Sequence, residues 1–420
     1  MPPFLRLAVP AGGSRFLPAL LLVLLAWWPA GHARAQDSTL TRLIRQHQYP
    51  LVPAGAQFAG AGWDKLQQSI QQSQFVLVGE DHGLAQVPGF TAAVAQVLRP
   101  AVFVAEIDPY VAAELTALAA QPGLPTAHSQ QYPEALCFYN WAEEFELIRT
   151  LRARRVQVVG LDQVYAATAG RFYARLAALA KGKAAKAYLQ RQAAVYQAQG
   201  QAFAREKKNR SSMTEQRPAA VDSLVAATRR EGPEVRQMVQ DYVLSYRIYQ
   251  SQIHGTGGHQ ERLNLMRRTL LRTLAPYQAA GAPPLPKVLF KFGANHLARG
   301  LSPVTFGEFY DVGNLAQDLA EAQNQQSLHV KVVGKQGTRA GTLNQLDRSN
   351  QAAPYSAADN ARLKPFFDQT TGPAWNVVDL RPARRALSAG KLVVGQPVQR
   401  VLLGYDYLVV IPETTASHPY

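Results

Sequence analysis

Four short apolar runs, each ending on polar residues, constrain this chain more than any other feature. Phe75-Val76-Leu77-Val78 leads into Gly79-Glu80-Asp81-His82. Ala101 to Ala105 leads into Glu106-Ile107-Asp108-Pro109, and Val156 to Leu161 into Asp162. Val288-Leu289-Phe290-Lys291-Phe292 leads into Gly293-Ala294-Asn295-His296. Runs this short and apolar read as strands buried on both faces, the habit of a parallel sheet. Open α/β sheets bind ligands just outside the carboxyl ends of such strands. Two histidines in matched Gly-x-x-His contexts are therefore expected to meet at one site.

Between the strands the spacing turns helical. Val87 to Leu98 predicts a helix of the right length to connect the first two strands as a parallel crossover. Tyr110 to Ala120 suits another, with 123–131 as loop. Trp141, Phe145, Ile148 and Leu151 then line one helix face. Residues 165–275 are rich in Ala, Gln, Arg and Tyr and read as a helical insertion, broken near Asn209, Gly232-Pro233 and Gly255 to Gly258. Its stripe of Val235, Met238, Tyr242, Ser245 and Tyr249 is read as core packing within that insertion. Ser327 to Val333 and Tyr407 to Ile411, closed by Pro412, predict two further strands, with 336–373 as long loops. The expected architecture is a mixed, mainly parallel central α/β sheet with flanking helices and the helical insertion.

Met1 to Ala35 has the form of a cleaved secretory signal. Arg6 and Arg15 precede an apolar stretch, Phe16 to Trp28, and Ala33-Arg34-Ala35 supplies a small-x-small cleavage site. The mature chain is expected to start near Gln36, as a secreted or periplasmic single domain over 36–420. Its one cysteine, Cys137, allows no internal disulfide and no multi-cysteine metal site. A net charge of +15 favours anionic membrane surfaces or anionic ligands. No nucleic-acid-binding signature accompanies that charge, so no nucleic-acid partner is expected. The chain also lacks a Gly-x-Ser-x-Gly elbow, a phosphate loop, a dinucleotide fingerprint and His-Glu-x-x-His.

The exits carry the candidate chemistry. In extended backbone alternate side chains share a side, so Glu80 and His82 project together. A carboxylate that orients an imidazole and stabilises its positive charge makes that imidazole a workable general base. His296 can then serve as acid, hydrogen-bond donor or metal ligand. Asn295 can polarise a substrate carbonyl. His82, His296, Glu80 and Glu106 equally suit a divalent metal, and the sequence leaves that alternative open. Asp162 reads as a turn former, and Cys137 as a buried, idle thiol.

These blocks resemble the superfamily that joins erythromycin esterases, haem-binding uptake lipoproteins and Tiki-type (TraB-like) proteases. Phe75 to Gly83 is similar to its first strand and histidine exit, Val104-Ala105-Glu106 to its second strand, and Lys287 to His296 to its late strand and second histidine. Phe138 to Glu144 resembles the esterase aromatic helix, Arg262-Leu263-Asn264-Leu265-Met266 an Arg-x-x-x-Met helix start, and Gly404 to Tyr407 the closing strand. The spacing of Glu80 and His82, and Gly293-Ala294-Asn295-His296 in place of His-Asn-x-His, stand nearer the Tiki type than the esterases. The resemblance implies a hydrolase of an ester, lactone or amide in a small molecule or peptide. His82 would be base or ligand, His296 its partner, and Glu80 and Glu106 supporting acids. Arg262 would contact an anionic substrate group or pair with an acid. It equally implies an alternative, a non-enzymatic carrier of haem or another small ligand, for which Tyr-rich helices and basic charge suit an acidic porphyrin.

Overall fold

The computed structural model describes residues 39–420 except 208, 209, 279, 280, 282, 305 and 345. The expected leader, Met1 to Ala35, lies outside the described residues. Among them, ten strands form one sheet: β1 (Gln48–Ala54), β2 (Gln57–Ala59), β3 (Phe75–Glu80), β4 (Val102–Ala105), β5 (Gln157–Gly160), β6 (Val288–Gly293), β7 (Ser327–Ala340), β8 (Ala352–Tyr355), β9 (Trp375–Asp379) and β10 (Tyr407–Thr414). The order is β2-β1-β9-β10-β7-β3-β6-β4-β5, with β8 on the outer end of β7. Strands β10, β7, β3, β6, β4 and β5 run parallel, and β1, β2, β8 and β9 pair antiparallel. The sheet is thus mixed and mainly parallel, as the apolar runs predict.

Burial on both faces explains those runs. Val76 and Val78 face one cluster, with Phe90, Phe145 and Ile148 of the helices Gln86–Leu98 and Ala142–Ala153. Phe75 and Leu77 face the opposite cluster, with Leu263, Met266 and Leu270 of helix His259–Leu274. Strand β6 lies between β3 and β4, so the strand that follows the insertion fills a slot between two earlier ones. No helix among the described residues is long and apolar enough to cross a membrane.

The insertion is helical. Ala169–Leu179, Lys183–Arg205, Pro218–Thr228, Pro233–Ile253 and His259–Leu274 are its α-helices. Val235, Met238 and Tyr242 pack with Phe172, Tyr173 and Leu189 in a separate core, so this stripe is packing.

Several expectations need correction. Residues 126–131 are helical rather than loop. Strand β7 continues to Ala340 and pairs with β8, where loops were expected. Strand β10 passes through Pro412 to Thr414. It can do so because its pairing with β9 ends at Val410, which leaves one side of the strand without a ladder for proline to interrupt. Strands β1, β2 and β9 went unrecognised.

Just past β4, Asp108 caps helix Pro109–Leu118. Its Oδ1 accepts from the backbone of Tyr110 at 2.9 Å and Val111 at 2.8 Å, and its Oδ2 from Tyr165 at 3.2 Å. Asp108→Ala is expected to cost about 2 kcal/mol, the upper range for a lost cap, measured as a lowered urea midpoint. An unchanged midpoint would mean that water replaces all three bonds.

Candidate active site

The carboxyl ends of β3, β4 and β6 converge. Glu80 ends β3 with its side chain on the same face as that of His82, and His82 Nδ1 lies 2.8 Å from Glu80 Oε1. His82 Nε2 lies 3.4 Å from Glu106 Oε2, just beyond β4. His296 Nε2 lies 3.2 Å from Glu106 Oε1. The two distant imidazoles therefore share one carboxylate. His296 sits on a single turn, Ala294–His296, after β6, and its Nδ1 lies 2.7 Å from Asp311 Oδ2. Asp311 also caps helix Val312–Glu321 through the Val312 amide.

Two glycines make this convergence possible. A Cβ at Gly79 would stand 2.9 Å from Ala294 Cα, and one at Gly293 would stand 2.9 Å from His82 Nε2. Each Gly-x-x-His exit thus keeps clear the space that the other occupies. The Gly293 amide donates to Glu106 Oε2 at 2.7 Å and helps fix that carboxylate.

Cations complete the charge pattern. Lys291, on β6, donates to Glu80 Oε1 at 2.7 Å and Glu144 Oε1 at 2.6 Å, and all three side chains are buried. Arg262, from the insertion, donates to Glu106 Oε1 at 2.9 Å and grips Asp162 through two bonds. Phe138 stacks on the His82 ring at 3.9 Å.

The titration behaviour follows from this packing. Burial pulls His82 downward, but its bonds and charge contacts to Glu106 and Glu80 overcome that pull and raise it to about 9. Burial likewise opposes His296, and Glu106 and Asp311 carry it up to about 10. Glu106 is held well below its ordinary value, because His296 and His82 outweigh its own burial. Glu144 goes the other way, to about 7: burial dominates, Lys291 opposes it and Glu80 adds to it.

The predicted residues Glu80, His82, Glu106, Asn295 and His296 line one cavity of about 420 Å³. Arg262 reaches the same cluster through Glu106. Asp162 accepts from the Gln163 amide, as a turn former does, but also clamps Arg262. Cys137 is buried, and burial holds its thiol well above the usual range. Asp311 and Lys291 were not singled out from sequence, and Phe138 and Glu144 were named only within the block that resembles the esterase aromatic helix, without a role at the site. The lysine inside an otherwise apolar run was the available signal, since a buried ammonium requires acids beside it.

As placed, the donor set closes on itself around Glu106. Both imidazoles commit Nδ1 to a carboxylate and turn Nε2 toward Glu106. The acids around each imidazole favour its charged form, and Lys291 and Arg262 already neutralise the acids. Among the described residues no three His, Cys, Asp or Glu side chains are arranged to hold a metal ion.

No protein-family profile and no curated protein sequence matches the chain. Solved structures do. A Bacillus cereus protein matches with a TM-score of 0.58 at 14% identity, over 91% of this chain and 99% of that one. A succinoglycan biosynthesis protein matches with 0.55 at 13% identity, over 92% and 99%. An erythromycin esterase mutant in its open conformation matches with 0.52 at 13% identity, over 84% and 94%. The sheet, its flanking helices and the helical insertion are therefore those of the erythromycin-esterase-like fold.

Proposed function

We propose that the chain is a metal-independent hydrolase that activates water at His82 to cleave an ester or lactone. One observation carries this reading. His82 has Nδ1 pinned by Glu80, while Nε2 faces both Glu106 and the cavity, within reach of the His296 cluster. Glu80 fixes the tautomer that leaves Nε2 as the proton acceptor. His82 is also the more accessible imidazole, its side chain 29% exposed against 10% for His296.

In the proposed reaction, neutral His82 takes a proton from water at Nε2 while the water oxygen bonds to the substrate carbonyl carbon. Glu80 and Glu106 stabilise the imidazolium that forms. The positive charge on His296 and the Asn295 amide stabilise the developing oxyanion. The carbon–oxygen bond to the alcohol then breaks, and His82 returns its proton to the leaving alkoxide. Ester and water become acid and alcohol with no other reactant.

With 4-nitrophenyl acetate, His82→Ala is expected to lower kcat/KM by about 10²–10⁴. A full rate in that variant would remove His82 from the chemistry. Purified protein with a Soret band and no esterase activity would favour the haem carrier instead. The proposal also sets the enzyme outside the cytoplasm. Amino-terminal sequencing of exported protein is expected to start at Gln36, and an intact Met1 would overturn that part.

A further inference from the structure

We propose that the substrate carries an anionic group, a carboxylate, sulfate or phosphate, that seats on Lys331 with Arg339 and Arg362 beside it. The inference rests on the hydrolytic reading of the same cavity and adds the charge of what enters it.

Lys331 is the unexpected member of the cavity wall. It stands on β7 opposite Gly79 of β3, and only 1% of its surface is exposed. In parallel register it shares a sheet face with Gly79, the face opposite to that of Lys291 and Glu80. Lys291 has two carboxylates at hydrogen-bond distance, whereas Lys331 has none. Its ion-pair partner is Asp81, at 4.0 Å, beyond hydrogen-bond reach. The oxygen that faces it is Oδ1, while Oδ2 of the same carboxylate accepts from the Tyr355 hydroxyl and from Asn360 Nδ2. The Tyr405 ring lies 5.9 Å from the ammonium, a weak second partner.

An ammonium buried with so little compensation is costly unless something else supplies negative charge. Burial lowers this one to about 8, with Asp81 opposing and Arg362 adding to the fall, so it remains mostly charged at neutral pH. Two further cations, Arg339 and Arg362, line the same cavity. Arg339 reaches Asp359 only at 3.5 Å, and Arg362 donates to the Pro303 carbonyl with no carboxylate partner among the described residues. Lys331, Arg339 and Arg362 thus stand with two carboxylates, Asp81 and Asp359, in the cavity lining. Glu80 and Glu106 line the same cavity beside His82 and His296. An anion entering this cavity supplies the close negative partner that Lys331 otherwise has only at 4.0 Å.

The test uses the full chain and two readouts. The first is calorimetric binding of succinate and of inorganic phosphate to wild type and to Lys331→Met. Wild type is expected to bind at least one of them, and the variant to bind it about tenfold or more weakly. The second is the ratio of kcat/KM for mono(4-nitrophenyl) succinate to that for 4-nitrophenyl acetate. It is expected to exceed about ten in wild type and to fall toward one in Lys331→Met. Methionine fills similar volume without the buried charge, so the variant is expected to fold with a denaturation midpoint no lower than wild type. Lys331→Gln serves should it not fold. Anion binding that depends on Lys331 without cleavage of either ester would keep the anionic site and remove the hydrolase. Cleavage without charge preference, together with anion binding that is absent or indifferent to Lys331, would overturn the inference and leave the hydrolase standing.

Discussion

The rate of ester cleavage is expected to climb about tenfold per pH unit above pH 7 and to level near pH 9, after subtraction of buffer hydrolysis. In the proposed reaction the working form of His82 is the neutral one, and the acids around it favour the protonated form. Glu106→Gln removes the negative charge that both imidazoles share. The ascending limb is then expected to move down by about one to three units, the usual effect of an opposite charge at this range. A limb that stays near pH 9 in that variant would show that another group titrates. The same shifts bear on stability. Both histidines sit above their unfolded value of 6.5 in the fold. Their stabilisation is complete below that value and is lost as pH rises through about 9 and 10.

Lys291→Met is expected to destabilise the chain by about 3–5 kcal/mol at neutral pH, as removal of one partner from a buried ion cluster does. Glu80 and Glu144 would be left facing each other with no cation between them, under the helix that Glu144 belongs to. With lysine present, Glu80 is held below its ordinary value, because Lys291 and His82 overcome its burial. That contribution exists above the unfolded pKa and is lost as pH falls. Without lysine, burial instead pushes both carboxyls up and they take protons. The deficit should therefore shrink as pH drops toward 4, traced by urea midpoints at each pH. A deficit under about 1 kcal/mol at neutral pH would mean that water reaches the pair.

What the sequence disclosed and what it hid have separate physical causes. The parallel strands were legible because both faces are buried, so every position must be apolar and the run stands out. The exits were legible because β3, β4 and β6 end in register, which places Glu80, Glu106 and His296 at one level of the sheet. Strand β1 escaped because it is mostly exposed, carries two prolines and pairs at the margin. The outer half of β7 escaped for the same reason, its residues past Gly334 being polar and partly exposed. Charged residues within apolar runs were the larger loss. Lys291 and Lys331 occupy positions that the strand pattern buries, and their partners come from Glu144 and Asp81, outside any local window. Asp162 carried a true but incomplete reading, since its bond to Gln163 is local and its grip on Arg262 is not.

The late arrival of β6 has a consequence for synthesis. Until residues near 293 have left the ribosome, β3 and β4 have open hydrogen-bonding edges that no earlier segment can close. Nascent chains stalled inside the helical insertion would carry Glu80 and Glu144 without Lys291, Glu106 without His296, and an unfilled groove, the condition that recruits holding chaperones. Turnover of an ester could then serve as a sensitive reporter of that final insertion, because neither portion of a chain divided between the two histidine exits holds a complete site.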